Sequence, residues 1–296
     1  MSSKARTTSN KVARMAEAAL SRSSSVKPTE GLDGRKLPSW PDSHRGVPNI
    51  LLRSALFSSS RSSQDLVKEE IFAQSPTRIR YTGPQLNQAD HDVWITLLHL
   101  ARGNRLNLPL RTSAYSLLKL QHKTDTGANR KNLYKCLAKL ETSKVEIIDF
   151  RYPYTGSLVD ATYRDESTEE LVVVLNPALY SLFDKKGITW VDWSIRRLLN
   201  SKPLAQWLHG YYSSHAEPFP VSIKTLMQMA GSTDRSTQSA EQNLRRALDS
   251  LAHARATHQK AFSYRIHNGN VHVEQVPSDS QLRHLQRKSK SAKGQK

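Results

Sequence analysis

The sequence predicts an α+β fold in which one small unit occurs twice in tandem, and three observations carry that prediction. First, shifting the chain by 111 residues lays one apolar pattern on another: Leu97 and Leu100 fall on Leu208 and Tyr211, Leu108-Pro109-Leu110 on Phe219-Pro220-Val221, and Leu133, Leu137 and Leu140 on Leu244, Leu248 and Leu251. Second, both copies keep one order of elements: helix, edge strand, helix, helix, hairpin. Third, Asn268-Gly269 stands between alternating residues, a strong signal for a tight hairpin. That order is the winged-helix variant of helix-turn-helix, whose third helix reads DNA while the hairpin wing touches the backbone. The reading is therefore two tandem winged-helix domains with disordered basic N- and C-terminal tails.

Residues 1–36 are rich in Ser, Lys, Arg and Thr and hold no core-forming pattern, so a disordered basic arm is expected there. In 37–70, Pro38, Pro41 and Pro48 impose an extended path, and Trp40, Ile50, Leu51, Leu52, Leu56 and Phe57 pin it onto the body. The first winged-helix domain spans 71–183. Arg78–Tyr81 reads as a strand closed by Thr82-Gly83-Pro84. Asn87–Ala101 is a helix with Asp90 and Asp92 in its first turn, where acids favour the helix dipole. Leu108-Pro109-Leu110 is an edge strand, where proline is tolerated. Thr112 or Ser113 caps a helix to Leu120, and Asn129–Thr142 is the third helix. Val145–Phe150 and Leu171–Leu175 are strands, joined by a long charged and aromatic connection, Arg151–Glu170. Asn176-Pro177 opens a short helix to Phe183.

The second domain spans 184–276. Thr189–Trp193 is a strand or linker. Ser201 caps a helix with Pro203 in its first turn, Phe219-Pro220-Val221 is an edge strand, and Ser222 caps a helix ending at Gly231. From Gly231 to Ala252 a turn leads into a long helix. Ala240, Leu244, Ala247, Leu248 and Leu251 recur at spacings of three and four on its buried face. Phe262–His267 and Asn270–Val273 make the hairpin, and 277–296 is a second disordered basic tail.

The chain has 296 residues, a net charge of +18 and a pI near 10.0. Each tail carries +5, leaving +8 on residues 47–276. A basic folded middle favours a polyanion, and double-stranded DNA is the expected partner. No window approaches a membrane span, so no membrane partner is expected, and a single cysteine fits a reducing cytosol. Cys136 has no second cysteine to pair with and sits in a helical pattern as a small buried hydrophobe. No phosphate-binding G-x-x-x-x-G-K-[ST] loop, zinc motif or paired acids in a cleft occur. No catalytic residue, metal or cofactor is expected, and the chain is not read as an enzyme. His209 and His215, flanking Tyr211-Tyr212, read as core or capping groups.

For DNA contact the sequence offers Arg235, Ser236, Thr237, Gln238, Gln242, Arg245 and Arg246 on the second domain's third helix. Arg can fork onto guanine and Gln onto adenine, while hydroxyls and the helix N-terminus take phosphates; Lys224 is placed on phosphate. The first domain offers Asn129, Arg130, Asn132, Lys135 and Lys139, a set suited to backbone more than bases. The competing reading of each is a solvated surface group. The acids Asp160, Asp165, Glu166, Glu169 and Glu170 disfavour DNA at 151–170, which is read as a dimer or intramolecular contact.

WPD (40–42), PN (48–49), RSALF (53–57), RIRYTG (78–83), DHDVW (90–94), YYSSHAEPFP (211–220) and MAGS (229–232) together resemble the TrfA-type replication initiators of broad-host-range plasmids. The resemblance spans about 40–275. It implies a plasmid initiator that binds direct repeats (iterons) at its origin. It also implies local strand opening, recruitment of the host replication initiator and helicase, and a monomer–dimer balance with a homodimer as one state. Family members can carry a Gln-Leu-Ser-Leu-Phe-type motif just before WPD that docks on the sliding clamp. GLDGRKLPSWPD lacks it and Ser54-Ala55-Leu56-Phe57 keeps only the Leu-Phe ending, so the resemblance leaves clamp binding open, and Leu56 and Phe57 read first as core-docking residues. A winged-helix transcriptional repressor without initiation activity is the alternative, and a scaffold that binds no DNA is a third.

Overall fold

The computed structural model describes residues 36–286 except 63, 149–152, 166, 184–186, 235, 280 and 284. The disordered arm expected at 1–36 lies outside the described residues but for Lys36, as does the tail beyond 286. The fold is mixed α/β, with two hydrophobic cores.

The first core is built by β1 (His44–Pro48), α1 (Asn49–Leu52), β2 (Asp65–Ile71), β3 (Arg78–Pro84), α2 (Gln88–Ala101), β4 (Leu110–Ser113), α3 (Ala114–Leu120), α4 (Gly127–Thr142), β5 (Lys144–Ile148), β6 (Tyr154–Gly156), β7 (Val159–Arg164) and β8 (Glu170–Leu175). α2 starts at a capping box: Asn87 accepts from the Ala89 and Asp90 amides while Asp90 accepts from the Asn87 amide. Its Val93, Trp94, Ile95, Leu97 and Leu98 are all at most 2% exposed, so this helix is buried nearly all round rather than along one stripe. Two antiparallel sheets complete this half, in orders β2-β3-β5-β6 and β4-β8-β7.

The second core is built by α5 (Trp193–Leu198), α6 (Pro203–Ser213), β10 (Val221–Ser222), α7 (Ile223–Met229), α8 (Thr237–Thr257), β11 (Phe262–His267) and β12 (Asn270–Gln275). The sheet order β10-β12-β11 repeats β4-β8-β7: in each half the short strand before the second helix pairs with the last strand of the hairpin. Leu133, Leu137 and Leu140 in α4 and Leu244, Leu248 and Leu251 in α8 are at most 2% exposed. Ser113 and Ser222 cap α3 and α7 through their hydroxyls. Asn268 and Gly269 take successive positive φ values of 49° and 71°, the backbone of a type I′ hairpin.

Several boundaries differ from the sequence reading. The edge strands begin at Leu110 and Val221, after Pro109 and Pro220, because proline has no N–H for the ladder; Leu108 and Phe219 are exposed at 53% and 77%. Ser201 does not cap α6: it has φ +65°, and the N-cap is Lys202, with no side-chain bond. The connection 151–170 contains β6 and β7, which pair with β5 and β8. Asp65–Ile71 is a strand of the first sheet rather than part of an extended lead-in. β9 (Ile188–Asp192) pairs with β1, and Val191 and Trp193 belong to the first core, so the second unit begins nearer Ile195 than 184. Residues 281–283 and 285–286 are helical, and Gln281 Nε2 donates to Ser213 O at 2.9 Å, so the tail read as disordered from 277 begins docked.

A polar junction and a strap join the halves. Arg196 of α5 is 1% exposed; its Nε donates to Asp92 of α2, its Nη2 to Gln88 Oε1 at 3.0 Å and its Nη1 to Gln206 O at 3.1 Å. Residues 53–59 run across both cores. Trp207 Nε1 donates to Ser54 O at 3.0 Å, Arg53 Nε to Ser214 Oγ at 2.9 Å, and the amides of Ser58 and Ser59 to Leu86 O and Ala230 O. Leu56 and Phe57 are each 2% exposed, and Phe57 stacks on Trp94 with centroids 5.7 Å apart, which satisfies the core-docking expectation.

Candidate nucleic-acid interface

α8 is the longest helix among the described residues, 21 residues or about 30 Å. Its apolar stripe turns inward, burying Leu244, Leu248 and Leu251. Truncating any one of these to Ala would cost about 2–5 kcal/mol. Gln238, Gln242, Arg245 and Arg246 fall on the opposite, exposed side. Among the described residues, the side chains of Thr237, Gln238, Gln242 and Arg246 make no hydrogen bond or ion pair. Arg245 is tied to Glu241 at 2.6 Å, and Asp249 accepts from Tyr264 Oη at 2.6 Å. The outer face therefore carries two arginines against two acids, with both acids already partnered.

The N-terminus of α8 is less open than expected. Ser236 Oγ accepts from the Ser239 amide at 3.1 Å, and Asp234 Oδ1 accepts from Asn243 Nδ2 at 2.9 Å and Ser239 Oγ at 3.2 Å. A carboxylate thus sits beside the end where a phosphate was expected, and the Ser236 hydroxyl is engaged as the helix cap. Arg235 lies outside the described residues. Positive charge comes instead from neighbours: exposed Lys224 on α7, and Arg265 on the outward side of β11 beside Ser263 and His267. The period-two alternation 263/265/267 could have shown Arg265 in the sequence.

In the first half three of five predicted residues are committed elsewhere. Lys139 is ion-paired to Asp90, 1% exposed in the first turn of α2, so its charge is committed to the core. Arg130 is held by Asp125 at 2.6 Å and Glu169 at 2.6 Å; both carboxylates hold its guanidinium in the charged form. Asn129 Nδ2 donates to Thr124 O at 2.8 Å and so belongs to the cap of α4. Asn132 and Lys135 remain exposed, joined by Lys131. The acidic connection is an intramolecular contact through Glu169, in line with one of its two expected roles.

The other titratable groups are structural. Burial, then Arg255, pulls His209 down to about 3, with its Nε2 3.0 Å from Asp192 O. Burial, then Arg53, pulls His215 down to about 4. Burial pushes the Cys136 thiol well above its ordinary range. No cluster of three metal-ligating side chains occurs among the described residues, and none of their helices is long and apolar enough to cross a membrane.

Comparison with known proteins matches this architecture to a family. The model of the TrfA protein family matches residues 5–263. The chain is 26% identical over 222 residues to the plasmid replication initiator protein TrfA of Escherichia coli, covering 72% of this chain; it spans 58% of that relative's length. Among solved structures it resembles domains 2 and 3 of RctB, with a TM-score of 0.50 and 11% identity over 78% of this chain and 98% of that one. It also resembles the Pi initiator protein in complex with iteron DNA, with a TM-score of 0.47 and 12% identity over 65% of this chain and 96% of that one. The RctB likeness establishes a shared chain path. With a family model matched over nearly all of the two repeated units, the chain belongs to the TrfA protein family.

Proposed function

We propose that the chain is a plasmid replication initiator that binds repeated double-stranded sites, iterons, at its origin, promotes strand opening there and recruits host replication machinery. In this reading each half is a winged-helix domain, read in the sequence at 71–183 and 184–276 and shifted by the packing to begin near Asp65 and Ile195, with basic tails outside them. The observation that carries it is the exposed, unpartnered set Thr237, Gln238, Gln242 and Arg246 on a helix whose other side is locked into the core. Gln and Arg there can reach base edges in a major groove, with Arg245 beside them and Lys224 on the flanking phosphate. Asn132, Lys131 and Lys135 give the first half a weaker, backbone-directed contact. Family membership supplies the initiation step, as the TrfA of Escherichia coli is named a plasmid replication initiator. Host helicase, host initiator and a homodimer are the partners this reading entails, in the bacterial cytoplasm, with no enzymatic step.

Two assays test it. Direct repeats cloned from beside the gene should be retarded by the protein and scrambled duplex of equal length should not. A replicon carrying only this gene and those repeats should transform a host. Retardation without transformation would leave a repressor, and absence of retardation would end the DNA reading.

A further inference from the structure

A crevice of about 410 Å³ opens where the two halves meet. Gln121, His122 and Lys123, which follow α3, line one wall; Arg197 and Asn200, in and after α5, line another; His258, which ends α8, closes it. Its charge is unbalanced. Asp92 is the carboxylate among its lining residues, and that group is committed to the buried Arg196. Lys123 and Arg197 face no acid there. Lys123 Nζ donates to Gln121 Oε1 at 2.8 Å, while Gln121 Nε2, in a side chain only 6% exposed, has no acceptor. His122 is lowered from its ordinary value by burial and then by Arg197, so the arginine's charge is felt across the crevice. A concave site with surplus cations and an unused buried donor is suited to an anion.

We propose that this crevice takes a backbone phosphate of the same duplex, held by Lys123 and Arg197, beside the first half's third helix. The inference rests on the DNA reading above and adds a contact to it. Lys123 lies three residues before Thr126, the N-cap of α4, so it stands at that helix's reading end. The first half's own Arg130 and Lys139 are neutralised by Asp125, Glu169 and Asp90, and Arg197 of the second half replaces them. The spacing also fits. His258 is separated from the Gln238 end of α8 by the helix length of about 30 Å. That is close to the roughly 34 Å of one turn of B-DNA, so two reading ends can meet successive major grooves on one side of a duplex.

The test is the salt dependence of binding to duplex origin repeats, measured by fluorescence anisotropy. Lys123→Gln and Arg197→Gln should each lower the slope of log affinity against log salt by about 0.9, and the double variant by about 1.8, with sequence preference intact. Arg105→Gln, an equal charge change on an exposed loop outside the interface, should leave the slope unchanged. A double variant with the wild-type slope overturns the proposal, while wild-type protein that binds no repeat duplex overturns the DNA reading itself. In a second arm, inorganic phosphate should shift the ring resonances of His122 and His258 in the wild type, and added duplex should reverse the shift. Phosphate that stays bound when duplex is saturating would make the crevice a free-anion site and overturn the proposal.

Discussion

Replacing Asp92 with Leu should be among the most damaging single changes in the chain. Arg196 would keep neutral acceptors, Gln88 Oε1 and Gln206 O, but would lose its counter-charge at a position 1% exposed. Removing one partner of a buried pair destabilises by about 3–5 kcal/mol because the remaining charge is stranded. Whole proteins are stable by only about 5–15 kcal/mol, so the loss is a large share. In urea, followed by circular dichroism, the midpoint should fall by about 1–2 M with the transition slope little changed. Adding Arg196→Met should recover much of the loss, because two apolar groups strand no charge. An Asp92→Leu midpoint within about 0.3 M of wild type, or a double variant no better than the single one, would refute the reasoning.

Arg246→Ala should relax sequence preference and weaken repeat binding by about 1–3 kcal/mol in a shift assay, with the melting temperature unmoved. Lys139→Ala should do the reverse, leaving the salt slope intact and lowering thermal stability, because it strands Asp90 beneath α4. Glu169→Gln should tighten low-salt DNA binding about fivefold, by removing a carboxylate that neutralises Arg130 and repels phosphate, worth about 1 kcal/mol, and the gain should vanish at high salt. Acid should unfold the second core early. The folded-state value of His209 is about 3 against an ordinary 6.5, so the unfolded chain binds the extra proton. Stability is therefore full above about pH 6.5 and declines as pH falls toward 3, by about 2 kcal/mol at pH 5. A His209→Gln variant should show a shallower fall in urea midpoint between pH 7 and pH 5.

The repeat was legible because helix periodicity survives without any knowledge of neighbours: Leu133, Leu137 and Leu140 declare a face, and so do Leu244, Leu248 and Leu251. The hairpin was legible because Asn-Gly reports its own backbone. What a helix lies against is not written on the helix. Lys139 and Arg130 belong to α4, yet the carboxylates that hold them come from elsewhere: Asp90 from α2, Glu169 from the turn between β7 and β8. Strands β6 and β7 escaped notice because Tyr154 and Val159, though buried, are set among charges and turn residues. Asp192 was not singled out at all, although it caps α5 and pairs with Lys260 from beyond α8. Its role exists only once distant segments meet.

The strap at 53–59 also governs how this molecule can be divided. A fragment cut at Ile71, where the first repeated unit was expected to start, would lack Phe57 over Trp94 and the Ser54 carbonyl that receives Trp207. The same cut would remove Ser58, which donates to Gly231 O in the turn ahead of α8. Excised halves would then present raw apolar faces to solvent and clump, whereas pieces that retain residues from Leu37 onward keep their lid. The stretch preceding the repeats is thus a shared clasp, and swapping either half between relatives requires carrying that clasp along.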